Sequence, residues 1–194
     1  KYYENIIKKA GSNSDVNNRT ERTWSEYYKA EVQFKNSNCK FKARYRLTGD
    51  LNDHIGEYGS IQHSMKIKLL DGRVGNITKF KLFTPESRQE KYEILNVIIH
   101  KELGLIAPRT ALIDVQIGGQ IFKAIFQEDI SKELLEYNNF HESLIIEGDE
   151  GYVPLTNPRI VNTNMIKSSY MNTIAKEILR TLGKVFLNTN KLKV

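Results

Sequence analysis

Residues 90–136 read EKYEILNVIIHKELGLIAPRTALIDVQIGGQIFKAIFQEDISKELLE, and this run decides the fold. Tyr92, Leu95, Ile98, Ile99 and Leu103 recur at three- and four-residue spacing, which predicts an amphipathic helix over 90–103. Gly104 stands where a helix end favours a left-handed residue, and Pro108 discourages continuation. Two apolar-rich segments follow, Thr110 to Ile117 and Gln120 to Gln127, joined by Gly118-Gly119. A two-residue Gly-Gly loop supplies the positive φ angles of a tight hairpin. The second strand runs into Glu128-Asp129, and a short helix is predicted from Ser131. Arg109, beside Pro108, carries a fork of donors that reaches carbonyls or a carboxylate. Gly104, Pro108 and Arg109 are therefore read as structural residues that organise the helix-to-hairpin connection.

Upstream, the pattern is of strands. Cys39 to Leu47 alternates Lys40, Lys42, Arg44 and Arg46 with Phe41, Ala43, Tyr45 and Leu47, a strand with one charged and one apolar face. It pairs as a hairpin with an extended segment over 24–34, across Asn36-Ser37-Asn38. Ser64 to Leu70 is a third strand, with Lys66 and Lys68 on one face, closed by Asp71-Gly72. Ile77 to Phe83 is a fourth, broken by Thr84-Pro85. Residues 1–10 have weak helical character and 11–23 are polar and turn-rich, so 1–23 reads as a helix and linker ahead of an α+β domain over 24–194. The loop 48–59 carries Gly49, Gly56 and Gly59 without a dinucleotide or Walker A spacing. Asp50, Asp53 and His54 in it are read as loop-capping residues rather than metal ligands. Downstream, Leu144 to Ile146 is a short strand, 152–164 a loop, and 168–186 a helix with Met171, Ile174, Ile178, Leu179, Leu182 and Phe186 on one face.

Composition narrows the classes. The chain has 194 residues, 40% hydrophobic and 27% charged, an ordinary globular balance. No run of about eighteen apolar residues is present, so no membrane-spanning helix is predicted. Cys39 is the single cysteine, which excludes an internal disulfide and a cysteine metal cluster. The net charge of +6 fits a solvated basic surface and also attraction to phosphates or a polyanion.

The run GLIAPRTALIDVQIGGQIFKAIFQEDISKELLE resembles the core of the spore-coat protein H (CotH) kinase family. RLTGDLNDHI, SMKIKLL and KFKLFTPESR are similar to a bacterial branch of that family. The specificity lies in the order of these short pieces over roughly Phe41 to Glu150. Thr48 stands where that branch carries a basic residue. The resemblance implies a protein-kinase-like N-lobe: a mostly antiparallel sheet, one helix packed after the fourth strand, and a C-terminal helix. It implies a nucleotide-binding lobe for ATP and Mg²⁺, acting on an unidentified phosphate acceptor. In such folds a strand lysine holds the phosphates and pairs with a helix glutamate. Lys68 is the first candidate for that lysine and Lys66 the second. Glu93 is the preferred partner over Glu90, and Glu128 at the strand end would line the adenine side.

The family's catalytic aspartates fall downstream of the hairpin, and none of the acids after Glu128 stands in an Asp-x-x-x-x-Asn setting, so the resemblance implies a nucleotide-binding lobe that is incomplete for catalysis at its C-terminus, with ATP-dependent phosphotransfer expected only of a full-length protein. No catalytic residue and no metal ligand is assigned. Other chemistries lack their motifs: there is neither a Gly-x-Ser-x-Gly elbow nor a His-Glu-x-x-His pair. Two alternatives remain: a non-catalytic interaction module of the cell envelope or a surface-polysaccharide system, and a nucleic-acid-binding sheet built on Lys40 to Arg46.

Overall fold

The computed structural model of the chain describes residues 26–35, 37–49, 62–147 and 159–189. The described residues up to Asp129 form one compact unit and those from Ile130 onward a second. The fold is α+β. In the first unit six antiparallel strands make one sheet, β1 (Tyr28–Gln33), β2 (Lys40–Leu47), β3 (Met65–Leu69), β4 (Lys79–Phe83), β5 (Thr110–Ile117) and β6 (Gln120–Glu128), in the order β1-β2-β3-β4-β6-β5. Helix α1 (Lys91–Glu102) lies between β4 and β5 in sequence, as predicted for a helix after the fourth strand.

The alternation in each strand sorts the side chains onto two faces. Ala43, Met65, Ile67, Leu69, Phe80, Leu82 and Ala124 are buried together on one of them. Val32 of β1 and Val115 and Ile117 of β5 pack against the same cluster. These strands are the two edges of the sheet, so the sheet curls around its own apolar face.

The hairpin forms at the expected place. Gly118 and Gly119 have φ of 55° and 86°, the two positive values that the tight turn requires, and Ile117 faces Gln120 across it. Helix α1 ends as its sequence dictates. Gly104 has φ of 73°. Its N–H donates to the Lys101 carbonyl at 3.0 Å, and the Leu105 N–H donates to the His100 carbonyl at 2.9 Å. These two bonds are the Schellman pattern, which satisfies carbonyls left over at the last turn. The start of α1 is less regular. A 3-10 turn (Pro85–Arg88) leaves β4, then Gln89 and Glu90 both take positive φ, 53° and 54°. Such backbone is strained for residues with a side chain.

The orientation of α1 differs from the sequence expectation. Tyr92, Leu95, Ile98, Ile99 and Leu103, the predicted packing stripe, are exposed. Glu93, Ile94, Val97 and His100 are the half-buried residues instead. A polar contact lies on the inward side: the Gln127 side chain on the sheet donates to Glu93 Oε1 at 2.7 Å. The Glu93–Ile94–Val97 side is thus the one turned inward, and the larger apolar stripe lies outside.

The second unit holds α2 (Lys132–Tyr137), the short antiparallel pair β7 (Ile146–Glu147) and β8 (Arg159–Ile160), a 3-10 turn (Thr163–Lys167) and α3 (Ser169–Thr189). Asn162 fixes the strand pair. Its Oδ1 accepts from the Ile145 N–H at 2.9 Å and its Nδ2 donates to the Ser143 carbonyl at 2.7 Å. Strand β8 lies within 152–164, which the sequence reading took as loop; pairing with β7 supplies hydrogen bonds that a two-residue segment cannot signal by periodicity. Ser168 Oγ accepts from the Met171 N–H at 3.2 Å, a hydroxyl cap for α3. No described helix is long and apolar enough to cross a membrane. Residues 50–61, with Asp50, Asp53 and His54, and the linker 1–23 lie outside the described residues.

Candidate functional site

The acidic pair at the end of β6 divides between the two faces of the sheet. Glu128 stands across from Phe80 on the apolar face and is 2% exposed. Its carboxylate is fully engaged by Arg109: Nε donates to Oε2 at 2.8 Å, Nη2 to Oε1 at 2.7 Å, and the Arg109 backbone N–H also points to Oε2 at 3.4 Å. The remaining guanidinium nitrogen, Nη1, donates to the Gly75 carbonyl. The backbone closes the same link, with the Glu128 N–H donating to the Arg109 carbonyl at 2.9 Å. A carboxylate removed from water needs this kind of bidentate partner.

Arg109 thus ties the start of the hairpin to a carbonyl and a carboxylate. The expectation that Glu128 lines an adenine pocket is corrected by the same geometry. Its side chain faces the interior, and both oxygens are taken.

Asp129, one residue on, turns to the opposite face. Its Oδ2 lies 2.5 Å from Lys66 Nζ and its Oδ1 lies 3.6 Å from Lys81 Nζ. Its N–H donates to the Lys79 carbonyl at 3.0 Å. The Asp129 side chain is only 7% exposed, whereas Lys66 and Lys81 keep 22% and 24% of theirs. The acid is therefore enclosed and the two cations reach toward water.

Strand register builds the surroundings. Arg46, Lys66, Lys81, Gln127 and Thr110 face one another across five strands and share one row. Gln127 in that row holds Glu93 of α1. On the same face Phe83 and Ile125 are buried at 1% and 0% exposure, and the Arg88 guanidinium lies 4.2 Å from the Phe83 ring centroid. The 3-10 turn and α1 thus stand over one end of this face, and the lysine cluster borders them.

Lys68 sits in the next row, opposite Lys79 and Arg44. It is exposed, and among the described residues it has no ion pair. The expected Lys68–Glu93 contact is not formed. Lys68 is two residues farther along β3 than Lys66, and Glu93 is engaged by Gln127. The strand lysine that meets a carboxylate is Lys66, and its carboxylate comes from Asp129 rather than from the helix.

Sequence reasoning named Lys66 and Glu93 but missed Lys81 and Asp129. The signal was present in the period-two rule: an acidic pair after a strand must split, and Asp129 falls on the side of Gln127, not of Phe126 and Glu128. Among the described residues no group of three or more His, Cys, Asp or Glu side chains is placed to hold a metal ion. Comparison of the chain with protein-family models, with curated proteins and with solved structures returns no match.

Proposed function

We propose that the first unit binds the phosphates of a nucleotide, as the nucleotide-facing lobe of a CotH-like, kinase-type protein. The observation that carries this reading is the Lys66–Asp129–Lys81 cluster beside the Glu93-bearing helix. Kinase-type sites combine a strand lysine with a glutamate on the helix that follows that strand. Lys81 is on β4, the strand directly before α1, and Glu93 is in the first turn of α1. Gln127 lies between them in the same row and anchors the helix.

The electrostatics fit an anion. Lys66 and Lys81 both reach the Asp129 carboxylate with part-exposed ammonium groups, and Arg46 extends the row of cations. Asp129 holds both ammonium groups in place. An entering phosphate accepts from Lys66 and Lys81 on their exposed side. Each such charge-assisted bond contributes about 1.5–3 kcal/mol, so loss of either lysine weakens binding by roughly tenfold or more. Mg²⁺ would arrive with the nucleotide phosphates, as it does wherever few protein carboxylates serve it. The phosphate acceptor lies beyond this reading.

Calorimetric titration with ATP, with and without Mg²⁺, tests it. The wild type binds, and Lys66→Ala and Lys81→Ala each weaken binding about tenfold, while Lys123→Ala on the hairpin leaves it unchanged. Absence of binding, or binding indifferent to both lysines, overturns the assignment.

A further inference from the structure

We propose that the outer face of α1 is a self-association surface, on which a second copy of this chain packs its own α1 in antiparallel orientation. The observation is the apolar stripe that the sheet leaves unused. Tyr92, Leu95, Ile98, Ile99 and Leu103 are each between 47% and 69% exposed, while the opposite side of the helix meets the sheet through Glu93. The spacing of the five makes the stripe continuous over three turns, about 16 Å of helix. Single large apolar residues on a surface are ordinary, but a contiguous row of them marks an interaction site.

Charges at the two ends of the stripe specify the occupant. Lys91, Leu95, Ile98 and Glu102 follow one another at spacings of four, three and four, so they stand in one row along the helix. A cation closes the row at its N-terminal end and an anion at its C-terminal end. Both are exposed, and neither has an ion pair among the described residues. Lys91 Nζ lies 5.8 Å from the Tyr92 ring centroid, at the margin of the stripe. Against a second copy running antiparallel, Lys91 meets Glu102 and Glu102 meets Lys91, and a two-fold axis makes both pairs at once. Leu95 and Ile98, the apolar middle of the row, then cover their own images. A parallel copy would set lysine against lysine and glutamate against glutamate, which is repulsive.

A membrane surface is the poorer match. Helices that lie on bilayers carry Lys and Arg along their polar face. Here the side opposite the stripe is occupied by the sheet, and the exposed ends of the helix balance Glu90 and Glu102 against Lys91 and Lys101. The surface contains neither Lys66 nor Lys81, so it stands or falls separately from the nucleotide reading.

Sedimentation equilibrium of the chain over a range of concentrations tests the proposal. The expected result is a reversible monomer–dimer equilibrium, with Leu95→Glu/Ile99→Glu held at the mass of one chain. Lys91→Glu and Glu102→Lys should each weaken the dimer by about tenfold, since each turns two attractive pairs into repulsive ones, and the two changes together should restore it. Both swaps suit the helix dipole, so an unchanged circular dichroism spectrum separates lost association from lost folding. The mass of one chain at every concentration, as a segment of the same chain lying on the stripe would give, overturns the proposal. So does a dimer indifferent to the apolar variant or to the single swaps, a double swap that fails to recover what either single swap loses, or binding to phosphatidylglycerol vesicles in place of self-association.

Discussion

Glu128 and Asp129 are adjacent in sequence and opposite in use. Glu128 is sealed: one arginine saturates both oxygens, and the pair links the hairpin to the Gly75 turn. Asp129 is enclosed but its partners are not, because Lys66 and Lys81 each offer a flexible, part-exposed ammonium. A planar guanidinium fixes geometry, whereas an ammonium on a flexible stem keeps further donors for another ligand. The comparison teaches that period two, applied to a strand end, can put a sealed structural clamp and a part-exposed cationic cluster side by side.

The comparison breaks most visibly at the clamp. Arg109→Ala strands a buried carboxylate, and loss of a buried partner costs about 3–5 kcal/mol. Because the Arg109 side chain is 21% exposed, the lower end, about 3 kcal/mol, is the expected loss in urea denaturation. An unchanged denaturation midpoint would show that the clamp does not hold the hairpin.

Asp129→Asn is the matching change on the other face. It keeps the shape, removes the charge shared by two lysines, and should cost about 1 kcal/mol. It should also tighten ATP binding a few-fold by removing competition for the lysines; weaker binding would mean that Asp129 positions them more than it competes. Gln127→Ala removes the anchor of α1 and should cost about 1 kcal/mol as well, with faster amide exchange in α1 as its distinguishing readout. Asp114→Ala on the hairpin breaks an ion pair whose side chains are 61% and 66% exposed, so its effect on the melting transition should stay below about 0.5 kcal/mol.

Most of the architecture was legible because it is local. Alternation in Lys40 to Leu47 and in Thr110 to Glu128, the Gly118-Gly119 turn and Gly104 after α1 each carry their geometry in a few residues. The strand order was not legible, since nothing in the β4 or β6 sequence states that they pair. The buried side of α1 was misjudged for a related reason. Periodicity shows that Tyr92, Leu95, Ile98 and Ile99 share a face, but which face meets the sheet is set by tertiary contacts, among them the Gln127–Glu93 bond, that no local pattern states. At the site, Lys66 and Glu93 were visible as residue types on plausible elements. Lys81 and Asp129 became site residues only through register, which brings β3, β4 and the end of β6 into one row.

The division between clamp and site is tested most directly by mapping ATP onto the amide resonances of the protein. The account predicts shifts, saturating together, at Lys66, Lys81, Glu93, Gln127 and Asp129, with Gly75 and Arg109 unmoved. Shifts centred on Gly75 and Arg109, with Lys66 and Lys81 silent, would contradict it.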